Sequence, residues 1–510
     1  MGVLHGERHI SKLTHPQLTM KQNPQAACRS RQIYIVEGVS GTERSLTCND
    51  PDINTLNTAL LERVFYHKVD GEYRLVSDPS ATVVNNRLRG FRKALIRRLG
   101  HSSPVSPEAF AQMYTGRKRT IYDRAVEDYT INGVRRRDAY SDSFVKCEKV
   151  PGDKAPRCIQ PRRPVYNVGV GRYLKPLEHK IYNIIQQVYD TDTPIVLKGF
   201  NAVETADIIR RKFESFERPV ALGLDASRFD QHVSAPMLAW EHSIYNATFR
   251  SPELKRLLKW QIDNVGFGRC DDGTVRYRVR GKRFSGDMNT ALGNCLIMCA
   301  MIHAYAQEKG IKVDLANNGD DCVVFMEQSE LSKFGLGLDQ WFDDMGFVMT
   351  KEEPVTELYR IEFCQCKPVE SANGLIMCRN FEKAREKDTM CLFDITTPTA
   401  AAKWLGAVGE CGLSLTSGIP VFQEMYKAYI RHGIKGNVTH SVGWECGMTF
   451  MARGLHPKEA EVSEDARYSF YVAFGITPDE QEALEEYYRN WKFEASVSAR
   501  EVATIFTAPF

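Results

Sequence analysis

The stretch that most constrains this chain is Gly319-Asp320-Asp321. Val313 and Leu315 alternate on the way in, and Val323, Val324 and Phe325 run on the way out. That pattern predicts strand, tight turn, strand, with two carboxylates at the tip of a hairpin. Gly319 frees the backbone for the turn, and Asn317-Asn318 also suits one. Adjacent carboxylates repel, so a hairpin built only for stability gains nothing from them. A divalent cation held between them removes the cost.

A tripeptide is too short to decide the matter, so a partner must be sought. One lies in residues 219–230, where an apolar run ends at Asp225 and a second acid follows at Asp230. A buried strand that delivers a carboxylate at its end presents a metal ligand rigidly. The plain alternative is a strand-end Asp capping a turn or helix. Residues 285–298 read as a loop entering a helix. Ser285-Gly286 is flexible enough to admit template or nucleotide close to the backbone. Asn289, Thr290 and Asn294 make the helix start more polar than a cap requires, and Gly293 permits close approach.

Charge points to the partner. The 510 residues carry a formal net charge of only +3. Yet Arg87 to Arg172 holds 20 Lys and Arg against 8 Asp and Glu, so the rest of the chain is net acidic. Such asymmetry suits a polyanion bound on one face, nucleic acid first; a solvated basic face is the plain alternative. On the helix predicted over 86–99, Leu88, Phe91, Leu95 and Leu99 form a buried stripe and the arginines face out. Ser106-Pro107-Glu108 reads as a helix start. Tyr114 to Tyr122 interleaves rings with Arg117, Lys118 and Arg119, a mixture suited to a single strand. Residues 144–163 are punctuated by Pro151, Pro156 and Pro161 and predict a stiff looped hairpin. Its cations Lys146, Lys149, Arg157, Arg162 and Arg163 could grip a triphosphate. Gly169 and Gly171 read as turn glycines.

The length implies two to four subdomains. The 14 cysteines show no zinc spacing and suggest a reducing compartment, with Cys295 and Cys299 in the core. No stretch reaches 18 apolar residues, and Leu292 to Ala306 is too short to span a bilayer. Met1 to Met20 lacks a signal-peptide core. Helices are predicted over 331–345, 399–408, 421–431 and from Thr477 to Trp491, and alternating strands over 358–369. His432 and His440 read as structural.

In chain order these stretches become specific: a basic loop, Asp225-Ala-Ser-Arg-Phe-Asp230, Ser285-Gly-Asp-Met-Asn-Thr290 continuing to Asn294, Gly319-Asp320-Asp321, then Lys351 beyond a helix. This order resembles the catalytic motifs of viral RNA-dependent RNA polymerases. The wording looks closest to the tombusvirus-like enzymes of plus-strand plant RNA viruses. The resemblance implies an α+β right-hand fold with an antiparallel palm sheet carrying the Gly-Asp-Asp hairpin. Its parts would be an N-terminal region and fingertips (1–100), fingers (101–218 and 241–280), palm (219–240 and 281–370) and thumb (371–510). Asp225 and Asp320 would hold two Mg2+ or Mn2+ ions, with Asp321 a weaker ligand. Asp230 and Asn289, with Ser285 and Thr290, would recognise the ribose hydroxyl. Lys146, Lys149 and Arg157 would hold the triphosphate. Lys351 would donate a proton to pyrophosphate. Tyr114, Gly116, Arg117, Lys118 and Gly286 would line the template path.

The implied partners are single-stranded RNA template, nascent RNA, NTPs and a membrane-anchored viral replication protein. With no intrinsic span in view, the implied location is a replication complex held peripherally on host cytoplasmic membranes. A reverse transcriptase and a non-catalytic RNA-binding replication protein stay open as alternatives.

Overall fold

The computed structural model describes residues 1–41, 44–435, 447–494 and 500–501. Helices and mostly antiparallel sheets mix along the chain, an α+β architecture. The sheet that positions the site has four strands, in spatial order Asp314–Asn318, Asp321–Glu327, Pro219–Ala226 and Met349–Lys351. Every pairing in it is antiparallel. Side chains alternate across a strand, and here both faces are apolar. Val220, Leu222, Leu224, Val324 and Met326 enter one core, while Ala221, Val323 and Phe325 enter a second. A slip of one residue would exchange the two sets, so the register is strongly specified.

The first core gathers the helices Ala81–Leu99, Pro164–Tyr189, Ala235–Phe249 and Thr290–Lys309. Leu88, Phe91, Leu95 and Leu99 are buried on the first of these, as their spacing predicts. Leu292 to Ala306 is buried almost throughout, with Cys295 and Cys299 inside it. Among the described residues no helix is long and apolar enough to cross a membrane. Gly169 and Gly171 are not turn residues. They lie within helix Pro164–Tyr189, where a side chain would strike Val134 or the ring of Phe110.

A five-stranded sheet has the order Leu18–Gln22, Gly273–Arg280, Asp263–Cys270, Ser141–Val145 and Cys158–Ile159. Its last two strands carry the ends of the basic hairpin. The second core joins the C-terminal helices Pro398–Thr416, Phe422–His432 and Pro478–Asn490 to Val36 and Val39 near the N-terminus. Tyr487 and Tyr488 donate to the carbonyls of Gly38 and Val39 at 2.8 and 2.6 Å. Glu386 accepts from the amides of Ser45 and Leu46. The two ends of the described chain are thus fastened together.

Two local expectations change. The helix expected over 331–345 is broken at Leu336-Gly337, with Gly337 at φ 77°. The strand expected from 358 begins only at Cys366, because Cys364 and Gln365 adopt positive φ and turn the chain sharply. His432 meets the carbonyl of Trp491 at 3.2 Å; His440 lies outside the described residues.

Candidate active site

The central strand Pro219–Ala226 sets Asp225 directly across from Asp321 on one side and Thr350 on the other. Gly319 and Asp320 form the turn between the strands ending at Asn318 and starting at Asp321, which face each other in register. Gly319 has φ 73°, the left-handed region that a side chain would strain. The Asn317 amide donates to the Gly319 carbonyl at 2.7 Å, and the Gly319 N–H reaches Cys295 Sγ at 3.2 Å. The turn is held from both sides.

The carboxylates crowd one another. Loss of solvent and the Asp225 charge hold Asp320 above the usual carboxylate range. Asp321 is pushed up to about 7, by burial first and then by Asp320, Glu352 and Asp225. The Cys364 N–H donates to Asp321 at 3.0 Å. Glu352, which the sequence reading passed over, fills the space left by the missing side chain of Gly223. Among the described residues no three of His, Cys, Asp and Glu converge as a ready-made cation site. The donor set is nevertheless all carboxylate oxygen, which suits a hard divalent ion, and its unrelieved repulsion is what such an ion would remove.

Beside these acids lies a cavity of about 390 Å³. It is lined by Asp320, Asp230, Asn294 and Ser285 together with Lys146, Arg157, Arg63, Arg228 and Lys282. Arg157 and Lys146 share Glu148, at 2.6 and 3.1 Å. Burial, with Arg228 and Arg157 nearby, lowers Arg63 to about 10. Burial lowers Arg228 too, and brings Lys282 to about 8. The lining carries more positive charge than Asp230 and Asp320 answer.

Behind the cavity runs a buried polar chain. The Asn294 amide donates to Asp230 at 2.8 Å, and its carbonyl accepts from Arg283 Nε at 2.9 Å. Arg283 in turn pairs with Glu241 at 2.7 Å, with both side chains 0% exposed. Gly293 makes this possible, since a Cβ there would come inside 3.0 Å of both the Arg283 guanidinium and the Glu241 carboxylate.

Several sequence assignments move. Asn289 does not reach the cavity; it is fully buried and bonds Glu241 and Gln261 at 3.0 and 2.8 Å. Asn294 stands beside Asp230 instead. Five residues along a helix turn the side chain to another face. Thr290 donates to the Phe284 carbonyl at 2.8 Å and fastens the loop. Gly286 is approached by Pro161, whose backbone a side chain would strike. Lys149 donates to the Lys387 carbonyl at 2.9 Å, a tie to the C-terminal region. Arg162 is buried against Asp287, with a second contact to Asn264 at 2.8 Å, and Arg163 lies 3.8 Å from Asp138.

Lys351 pairs across the strand with Leu224, so it shares the face of Leu224 rather than that of Asp225; its ammonium lies 3.8 Å from Asp339. Tyr114 packs on Phe110 and Tyr122, with centroids 5.3 and 4.7 Å away, and its hydroxyl lies 3.6 Å from Met288 Sδ. Its ring belongs to the fold, while Gly116, Arg117 and Lys118 are exposed at the start of helix Gly116–Asn132. Arg63 gave no sequence signal. Arg228 and Lys282 stood beside recognised stretches and could have been read from them.

A family model described as viral RNA dependent RNA polymerase matches residues 18–496. The RNA-directed RNA polymerase of maize chlorotic mottle virus (isolate United States/Kansas/1987) is 42% identical over 470 residues, covering 91% of this chain and 48% of the relative. That of turnip crinkle virus is 42% identical over 470 residues, covering 90% and 60%. That of melon necrotic spot virus is 41% identical over 488 residues, covering 94% and 61%. The chain thus spans about half to three fifths of the length of these relatives. With nearly all of its own length matched, the chain belongs to the viral RNA-dependent RNA polymerase family.

Proposed function

We propose that this chain is an RNA-directed RNA polymerase that joins NTPs on a plus-strand viral RNA template and releases pyrophosphate. The observation that carries the reading is the single cavity in which Asp320, Asp230 and Asn294 meet Lys146, Arg157, Arg63, Arg228 and Lys282. A nucleoside triphosphate needs both kinds of group. Fixed cations and arginine forks neutralise and orient the phosphates. The Asp230–Asn294 pair offers an acceptor and an amide to a ribose hydroxyl, which favours ribonucleotides over the reverse-transcriptase alternative. Base selection is left to template pairing, so no base-reading side chain is required. Rate would come from positioning and from preorganised charge.

Asp225, near the end of the central strand, and Asp320, in the turn beside it, would hold two divalent ions, Mg2+ or Mn2+, with Asp321 as a weaker ligand. Such ions supply a more acidic primer 3′-hydroxyl and neutralise charge on the leaving group. In right-hand terms we assign the four-stranded sheet to the palm, the five-stranded sheet to the fingers and the C-terminal helices to the thumb. The fastening of Gly38, Val39, Ser45 and Leu46 to the C-terminal region supports a closed hand.

The test is template-directed incorporation of labelled NTPs by the purified protein, with and without Mg2+, beside Asp320→Ala. Synthesis that needs the ion and vanishes in the variant is expected. Synthesis retained by Asp320→Ala, or dNTPs used as well as NTPs, would sink the reading.

A further inference from the structure

The five-stranded sheet bears a second cavity, of about 1130 Å³, that shares no lining residue with the first. Strand alternation builds its floor. On Gly273–Arg280, Val275 and Tyr277 are buried while Thr274, Arg276 and Arg278 turn outward. Phe267 and Arg269 are the outward residues of the next strand, and Asp142 and Phe144 of the one after. The register places Arg276 opposite Phe267, and Thr274 between Arg269 and Lys21. The Arg276 guanidinium lies 5.4 Å from the Phe267 ring centroid, and the Tyr140 ring centroid lies 5.8 Å from it. Phe144 is 47% exposed. Arg137 and Arg163 also line the groove. Among the described residues Lys21, Arg137, Arg269 and Arg276 form no ion pair with a carboxylate, and Asp142 is the one acid in the lining.

This face sets one exposed ring, Phe144, and two partly exposed ones, Tyr140 and Phe267, among cations that no carboxylate answers. Together they match one ligand class. Cations track a phosphate backbone, and exposed rings stack on unpaired bases. A duplex hides its base faces and could use only the cations. We propose that this sheet face binds single-stranded RNA, as a site separate from the cavity of synthesis. Phe267, Tyr140 and Phe144 supply the stacking surface, and Lys21, Arg269 and Arg276 hold the phosphates.

The test uses the whole protein and a fluorescent 12-nucleotide single-stranded RNA, with binding read by anisotropy across a salt series. The variants are Arg269→Ala/Arg276→Ala and Phe144→Leu, both at exposed positions. The double variant should weaken binding by at least tenfold and flatten the salt slope by about 1.4, the share of two phosphate contacts. Phe144→Leu, which keeps a side chain of similar bulk, should lose about fivefold, the lower bound for one stacked base. RNA carrying 4-thiouridine should crosslink to the peptide 263–280. Unchanged affinity and slope in the double variant, as a protein-binding face would give, would overturn the proposal. So would equal competition by duplex RNA, or crosslinks confined to the first cavity. Asp320→Ala serves as the control: it should abolish synthesis and leave this binding intact, so failure of the polymerase reading and failure of this one appear in different assays.

Discussion

Gly293→Ala tests the architecture behind the cavity with one methyl group. The added Cβ would come inside 3.0 Å of both the Arg283 guanidinium and the Glu241 carboxylate. Those groups form a fully buried pair at 2.7 Å, and neither has solvent to retreat into. Parting a buried pair leaves uncompensated charge and costs about 3–5 kcal/mol. Because the helix can shift a little, the low end applies, about 3 kcal/mol. A chain of this size has folding stability of about 5–15 kcal/mol, so the variant should fold but open locally. Hydrogen exchange should report it: amides of the first turns of Thr290–Lys309 should exchange about 100-fold faster, by the rule of tenfold per 1.4 kcal/mol. Arg283 also orients Asn294, which bonds Asp230, so discrimination of NTP from dNTP should fall in the same variant. Exchange within about twofold of wild type would show that the pair is not held against Gly293, and the reasoning would fail.

Other outcomes separate neighbouring residues. Asn294→Ala should lower ribonucleotide selectivity about tenfold, the worth of one hydrogen bond to a charged group, whereas Asn289→Ala should chiefly destabilise the fold, by about 1–3 kcal/mol from unpaired buried partners; primer extension and denaturant unfolding distinguish them. Lys282, lowered to about 8, loses its charge as pH rises through that value, so KM for NTP should climb between pH 7 and 9 and stay flatter in Lys282→Arg. The sign follows from the protonated amine being the form that meets phosphate; a pH-independent KM in wild type would count against its role. Lys351→Ala should change kcat less than twofold, since the residue faces Asp339; a loss beyond tenfold in single-turnover assays would restore it as the proton donor.

Much of the polar machinery was legible because it is local. A carboxylate at the end of an apolar strand and a glycine turn before two acids need only the neighbouring residues to be recognised. The stripe Leu88, Phe91, Leu95, Leu99 and the helix start at Thr477 are likewise readable from spacing alone. Sequence and structure part where a side chain's direction decides its surroundings. The resemblance sets Asn289 with Asp230, yet Asn294 is the one that bonds it. Lys149 and Lys146 stand three residues apart and point to different regions, one to Lys387 and one to the cavity. Tyr114, which reads as a template-lining ring, packs on Phe110 and Tyr122.

By itself, then, the order of residues determined the family, the acids and the basic loop that complements them, because each is written in a short run whose chemistry does not depend on distant contacts. Tertiary structure decided which cations share the cavity. Arg63 lies more than 150 positions before Arg228 and over 200 before Lys282, and only the packing of separate elements brings the three to one cavity. It also decided that Asp225 faces Asp321 rather than some other partner, through a strand register set by two apolar cores on opposite faces of one sheet. Long-range pairing is chosen by the burial of whole faces, and no window of sequence contains both sides of that choice.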